Sequence, residues 1–255
     1  MVLDLASEVT GAGAPFVVMH GLFGSSRNWG AIARQVGDLR QVHAVDLRNH
    51  GASPWDDATD YAAMAGDVAH YIEQRGLGPA DVMGHSMGGK AAMMLALTRP
   101  DLVRRLIIVD IAPVTYKPDV YPGYIEAMRG ADLAHERRGE VEAELIPGVP
   151  DAGLRAFLGQ NLIRDGKGFR WRLNLDALAA GLDDILGWPK QQGGHFDGPT
   201  EVLLGGKSAY VRPQDRLGMQ ALFPAARFET VEGAGHWAHA EQPERFLALL
   251  RRALA

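Results

Sequence analysis

The chain has 255 residues, a mass of 27.6 kDa and a formal net charge of −5 with a pI near 6.0, long enough for one large α/β domain without requiring a second. Acidic and basic residues are interspersed with no basic stripe, which argues against nucleic acid or an anionic membrane surface as a partner. The sequence contains no cysteine, which removes disulfides, thiolate metal sites and a cysteine nucleophile together.

Met1 to Leu5 lack a basic segment followed by an apolar one, and no apolar run approaches a membrane span, so the cytoplasm is the expected location. Val2 to Glu8 predicts a short opening strand, and Gly11-Ala12-Gly13-Ala14-Pro15 a turn. Phe16-Val17-Val18-Met19 is apolar without alternation, the pattern of a parallel strand buried on both faces. It runs into a glycine-rich loop, His20-Gly21-Leu22-Phe23-Gly24-Ser25-Ser26, whose backbone amides can point at a ligand. Trp29 to Val36 predicts a helix and Gln41 to Val45 a strand, followed by the loop Asp46-Leu47-Arg48-Asn49-His50-Gly51. From Tyr61 to Gln74, residues Ala62, Ala65, Val68, Ala69 and Ile72 keep helical spacing. Strands and helices that alternate in this way predict a parallel sheet with right-handed crossovers.

Strand, turn and helix then meet in Gly84-His85-Ser86-Met87-Gly88, a Gly-x-Ser-x-Gly motif that lifts a serine hydroxyl above the end of a sheet. Ser86 is the candidate nucleophile. The same stretch nearly spells a phosphate loop through Gly84, Gly89 and Lys90, but the next residue, Ala91, lacks the hydroxyl that holds magnesium. Strands follow at Arg105 to Val109, Glu201 to Leu204 and Arg227 to Val231, with a terminal helix from Pro243 to Ala255. Between Thr115 and Pro199 the rhythm changes to helical segments (Gly123 to Arg129, Leu133 to Leu145, Asp151 to Ile163, Leu175 to Leu186), broken by a turn at Asp165-Gly166-Lys167-Gly168. We read residues 1–114 and 199–255 as the core and 115–198 as an inserted helical cap. Serine needs a base, and His236, in Gly233-Ala234-Gly235-His236 after the last strand, is the candidate, with His239 its rival. His70 and His135 read as solvated helix positions, and His20 and His85 as structural.

The motifs His20-Gly21-Leu22-Phe23-Gly24-Ser25, Asp46 to Gly51, Gly84 to Lys90, Val109-Asp110-Ile111-Ala112-Pro113 and Gly233 to Trp237, in this order, resemble the α/β-hydrolase superfamily and within it the YbfF-type bacterial serine esterases. The resemblance implies the α/β-hydrolase fold: a mostly parallel central sheet flanked by helices, with the cap inserted. It implies no cofactor and no metal, and a small-molecule ester as substrate. Most members carry the acid of the triad three residues past the glycine that ends the strand before the histidine strand, and here that position is Ser208. Asp110 is the acid expected instead, with Ser208 as a further hydrogen-bond partner of His236 and Asp215 as the fallback. The oxyanion donors implied are the amides of Met87 and of Leu22, or of Phe23 in its place. Phe23, Trp171, Asn174, Tyr210 and Trp237 are the expected substrate-binding residues, with Tyr121, Tyr124 and Trp188 as similar candidates.

The activity implied is hydrolysis of short to medium acyl esters, thioesters included, through an acyl-enzyme. Carbon–carbon hydrolysis or a proton-abstraction lyase step on the same residues is the alternative. Ser86 argues against dehalogenase or epoxide hydrolase chemistry, which needs a carboxylate at the same turn. A non-catalytic ligand receptor on the same scaffold would be expected to have lost the serine or the histidine, and both are present. The oligomeric state is left open.

Overall fold

The apolar runs are too short for helices and carry no polar face, so they pair side by side in a sheet covered on both faces. In this computed structural model, which describes residues 1–117, 119–189 and 194–255, the strands are β1 (Ser7–Thr10), β2 (Pro15–Met19), β3 (Gln41–Val45), β4 (Ala80–His85), β5 (Val103–Val109), β6 (Leu162–Asp165), β7 (Gly168–Trp171), β8 (Thr200–Gly205) and β9 (Ala226–Val231). The helices are α1 (Gly30–Val36), α2 (Tyr61–Gln74), α3 (Met87–Thr98), α4 (Tyr121–Gly130), α5 (Arg138–Glu144), α6 (Ala152–Gly159), α7 (Leu175–Ala180), α8 (Leu182–Leu186), α9 (Asp215–Leu222), α10 (Ala238–Glu241) and α11 (Pro243–Leu254).

Seven strands form one sheet in the order β1-β3-β2-β4-β5-β8-β9. All neighbours are parallel except β1, which lies antiparallel on β3. Side chains alternate between two cores: Val17, Val82, Leu106 and Val202 pack on the side of α2 and α3, while Phe16, Met83, Ile107 and Leu203 pack on the side of α1 and α11. This two-sided burial explains why β2 and the C-terminal half of β5 read as unbroken apolar runs. Because β2 to β9 run parallel in the sheet, the loops carrying His20, Asp46, Ser86, Asp110, Ser208 and His236 all leave its C-terminal edge.

Two expectations need correction. The opening strand lies at Ser7–Thr10 rather than Val2 to Glu8, because Leu3 and Leu5 are buried as core anchors and Leu3 N donates to Asp67 (2.8 Å) instead of to a strand. The segment between β5 and β8 is also not purely helical. β6 and β7 pair antiparallel from Leu162↔Trp171 to Asp165↔Gly168, closed by Gly166 at φ 58°, a two-residue hairpin turn whose first residue needs the left-handed region. The hairpin shortens the expected helices Leu133 to Leu145 and Asp151 to Ile163 to Arg138–Glu144 and Ala152–Gly159. Among the described residues no helix is long and apolar enough to cross a membrane.

Candidate active site

Ser86 occupies the apex between β4 and α3 with φ 53° and ψ −120°, a conformation costly for a residue with a Cβ and one that persists only where the surroundings enforce it. The flanking glycines are required by space: a Cβ on Gly84 would lie 2.0 Å from Gly88 O, and one on Gly88 would lie 2.4 Å from His20 O. The backbone is tied down by Ser86 N donating to Val109 O (3.1 Å) and Lys90 N donating to Ser86 O (3.1 Å).

Asp110 ends the neighbouring strand β5 with φ 51° and is 1% exposed. Its carboxylate accepts from Gly205 N (2.9 Å) on Oδ1, and on Oδ2 from the Ser208 hydroxyl and from His236 Nδ1 (2.8 Å). The histidine arrives from β9, two strands away, so its loop must cross the end of β8. Gly205 makes that crossing possible, since a Cβ there would lie 2.0 Å from Gly235 O. Tyr210 stacks on the His236 ring with centroids 3.7 Å apart, and His85 Nε2 donates to His236 O (2.8 Å). Burial, reinforced by His236 and His239, holds the His85 pKa well below its usual value. His85 is therefore neutral, with its proton on the nitrogen that grips the loop.

The loop after β2 sits directly against the serine, as a Cβ on Gly21 would lie 3.2 Å from Ser86 Cβ. Its shape is held by two buried imidazoles. His20 Nδ1 donates to Gly21 O (2.8 Å) and Nε2 accepts from Leu47 N (3.0 Å). His50 Nδ1 donates to Arg48 O (2.8 Å) and Nε2 accepts from Phe23 N (3.2 Å). Each ring must be neutral to accept, and burial lowers both pKa values, that of His50 to about 3. The Phe23 amide is thus engaged by His50. Leu22 N has no backbone acceptor among the described residues, and Met87 N is one of the first four amides of α3, which have no acceptor inside the helix.

Ser86, His236, Tyr210, Phe23 and Trp237 line one cavity of about 290 Å³, with His20, Leu22, His85, His239, Tyr121, Tyr124, Leu154 and Phe157 completing much of its wall. Of the other expected substrate-binding residues, Trp171 and Asn174 do not reach it. Trp171 is buried with Nε1 donating to Met128 O (2.9 Å). Asn174 caps α7, accepting from Ala177 N (3.3 Å) while donating to Asn49 Oδ1 (3.0 Å). The aromatic and amide groups that made this run distinctive pack and cap the inserted segment instead. Trp188 lies against Tyr61, outside the cavity. Ser208 contacts the carboxylate rather than the imidazole: its hydroxyl donates to Asp110 Oδ2, the oxygen that also accepts from His236, while its Oγ accepts from Tyr210 N (3.2 Å). Asp215 is held by Arg212 (2.9 Å) and has no contact with His236. His239 lines the cavity without a carboxylate partner, its pKa lowered by burial to about 4. Among the described residues no cluster of His, Asp and Glu is arranged to hold a metal ion.

Sequence reasoning assigned no task to Tyr210's stacking or to His50, and gave His20 and His85 only a general structural role. The faint signal was that His20, His50 and His85 each stand beside a motif glycine; Tyr210 has no such neighbour.

A hydroxyl, an imidazole fixed by a carboxylate and two amides around one cavity can together carry out acyl transfer. The chain matches the model of the Alpha/beta hydrolase family over residues 16–249. It is 43% identical over 247 residues to the sn-1-specific diacylglycerol lipase ABHD11 of Mus musculus, covering 94% of this chain and 80% of that protein. It is 37% identical over 244 residues to esterase YbfF of Escherichia coli, covering 94% and 93% of the two chains. A solved marine microorganism esterase superposes with a TM-score of 0.94 at 35% identity, covering 98% of this chain and 99% of the other. With residues 16–249 inside the family model and two named esterases at this similarity, the chain belongs to the alpha/beta hydrolase family.

Proposed function

We propose that the protein is a serine ester hydrolase acting on short to medium acyl esters, thioesters included, with Ser86 as nucleophile, His236 as base and Asp110 as the acid that holds it. The observation that carries the assignment is the 2.8 Å hydrogen bond from His236 Nδ1 to Asp110 Oδ2, in a cavity shared with Ser86. In this reading His236 Nε2 takes the Ser86 hydroxyl proton as Oγ attacks the ester carbonyl. The carbonyl electrons move to oxygen, and the amides of Leu22 and Met87 receive the anion. Collapse expels the alcohol, which takes its proton from His236, and water repeats the sequence on the acyl-enzyme to release the acid. Ser208 steadies the carboxylate and Tyr210 the imidazole ring.

Residues 115–198 act as a cap in the same reading, since Val120, Tyr121, Tyr124, Leu154 and Phe157 from this segment line the cavity. At about 290 Å³ the cavity is at the low end of small-molecule sites, which favours short to medium chains; its aromatic walls suit an apolar one. The cytoplasmic location is carried into this reading from the sequence and is checked by cell fractionation. The test of function is a fluorophosphonate probe followed by a panel of p-nitrophenyl esters and acyl-CoA thioesters. Labelling and turnover are expected in the wild type, and both are lost in Ser86→Ala. A wild type that takes no label and turns over no member of the panel overturns the reading.

A further inference from the structure

Two cationic side chains are buried among the described residues, Arg48 and Lys90, and only one has an opposite charge. Arg48 pairs with Asp67 at 2.7 Å. Lys90, 1% exposed, donates to Leu186 O (2.9 Å) and Gly187 O (2.6 Å) and lies over the rings of Tyr116 (4.8 Å) and Tyr61 (5.5 Å), with no carboxylate of the described residues paired to it. Carbonyl dipoles and ring faces partly replace water around an ammonium but do not cancel its charge, so such a group is costly to keep. The lysine is also not remote from the chemistry. It stands one turn along the helix from Ser86, about 6 Å of axial rise, and it borders a small cavity of about 20 Å³ together with Ser86, Leu22 and Met87. The two residues whose amides face the proposed oxyanion thus share a wall with an uncompensated cation.

We infer that Lys90 is a fixed positive charge behind the oxyanion pocket, and that the anion formed on the substrate carbonyl is the counter-charge this lysine lacks in the unliganded protein. The inference rests on the ester-hydrolase reading. When Ser86 Oγ bonds to the carbonyl carbon, its proton passes to His236 and the carbonyl π pair becomes a lone pair on oxygen. Lys90 gives up no proton, and acts only through its field. A unit charge roughly 6–8 Å from the new anion, in surroundings of effective dielectric near 20, corresponds to about thirty- to a hundredfold in rate. Of the polar groups bordering the small cavity, Tyr61 comes from α2, Tyr116 from the connection after β5, Tyr121 from α4 and Tyr210 from the connection after β8. Burial raises all four phenols, which stay neutral, and Asp183 and Asp184 on α8 are exposed. Burial lowers Lys90 itself to about 7. This is affordable only if the charged form has a use, because a methionine would fill the same space without the penalty.

The test compares Lys90→Met and Lys90→Gln with the wild type, using p-nitrophenyl butyrate and a pair of alkyl ketones. A trifluoromethyl ketone adds to Ser86 as an anionic hemiketal, while the matching methyl ketone binds as the neutral carbonyl. Both variants should lose about thirty- to a hundredfold in kcat with little change in KM, and should lose trifluoromethyl ketone affinity by the same factor while methyl ketone affinity holds. A purely structural lysine, tying α8 to α3, would weaken both ketones equally, and that result overturns the inference, as does a variant with wild-type kcat. Should both variants fail to fold, the wild type still decides. Its kcat/KM should pass a maximum and settle on a lower, non-zero plateau as pH rises through about 7, where the lysine loses its charge, and a profile that only climbs to its plateau refutes the proposal. Failure of the hydrolase reading is visible separately, as absence of probe labelling in the wild type.

Discussion

Asp110→Asn is the substitution with the sharpest expected consequence. The carboxylate accepts three hydrogen bonds, from Gly205 N (2.9 Å), from the Ser208 hydroxyl and from His236 Nδ1 (2.8 Å), and donates none. An amide can keep the bond from Gly205 through its oxygen, but its NH2 group then faces His236 Nδ1, which must become an acceptor. The ring proton moves to Nε2, the atom that has to take the Ser86 proton, and the negative charge that stabilises the imidazolium is gone. In the serine proteases the equivalent change costs about 10⁴ in turnover, or about 5.5 kcal/mol at 1.36 kcal/mol per decade. Ser208→Ala removes one donor to the carboxylate and leaves charge and tautomer in place, so a loss of about ten- to a hundredfold is expected, in line with roughly 1.5–3 kcal/mol for one hydrogen bond to a charged group. Combined, the two changes should be less than additive, because both act through one carboxylate. The assay is turnover of a soluble p-nitrophenyl ester at fixed pH by variants matched for Tm. An Asp110→Asn enzyme within tenfold of wild type, or a Ser208→Ala enzyme as impaired as Asp110→Asn, would refute the assignment of the acid.

His236→Ala should lose activity to the extent that Ser86→Ala does, because such residues act as a unit, while His239→Ala, which removes no carboxylate-bound imidazole, keeps most of it; steady-state turnover distinguishes them. Trp171→Phe should lower Tm through the lost bond to Met128 O without changing KM, whereas Trp237→Ala, in the cavity wall, should raise KM for the longer p-nitrophenyl esters and leave Tm unchanged. Acid should destabilise the fold through its buried imidazoles. His50 titrates near 3 when folded and near 6.5 when unfolded, so the unfolded chain binds the proton first. The stability that the neutral ring contributes is whole above pH 6.5 and is lost as pH falls from 6.5 toward 3. Tm measured across this window should fall less steeply in His50→Gln than in the wild type.

Much of the scaffold was legible because parallel strands buried on both faces leave a simple mark, four or five apolar residues closed by a glycine loop. Phe16 to Met19 shows it, and the helical period of Tyr61 to Gln74 gave that helix its observed bounds. The hairpin at Leu162–Trp171 was not legible, because Leu162-Ile163-Arg164-Asp165 has only two apolar residues and only Gln160 and Asn161 separate it from the preceding helix. The turn that closes it was visible, but a Gly turn between polar residues does not say which elements it joins. Helix α9, between β8 and β9, was missed because only Met219 of its eight residues is an apolar residue buried in the core.

The candidate site was legible where a residue's type limits what it can do and illegible where only its contacts do. Ser86 and His236 stand out because the glycines about them permit backbone paths closed to other residues, and glycine spacing survives in a bare sequence. Trp171 and Asn174 stand out too, but for the reverse reason: a tryptophan and an amide in one short run look like recognition, yet both are spent on internal partners, Met128 O and Asn49. His50 shows the opposite failure. It is twenty-seven positions from Phe23, and the glycine beside it does not say which amide its ring will meet. Its ring nevertheless occupies the Phe23 amide, which in the proposed mechanism leaves Leu22 N as the oxyanion donor of that loop. The choice between Leu22 and Phe23, open at the level of sequence, therefore turns on the tautomer of a buried histidine from another loop, a property that exists only once β2 and β3 lie side by side.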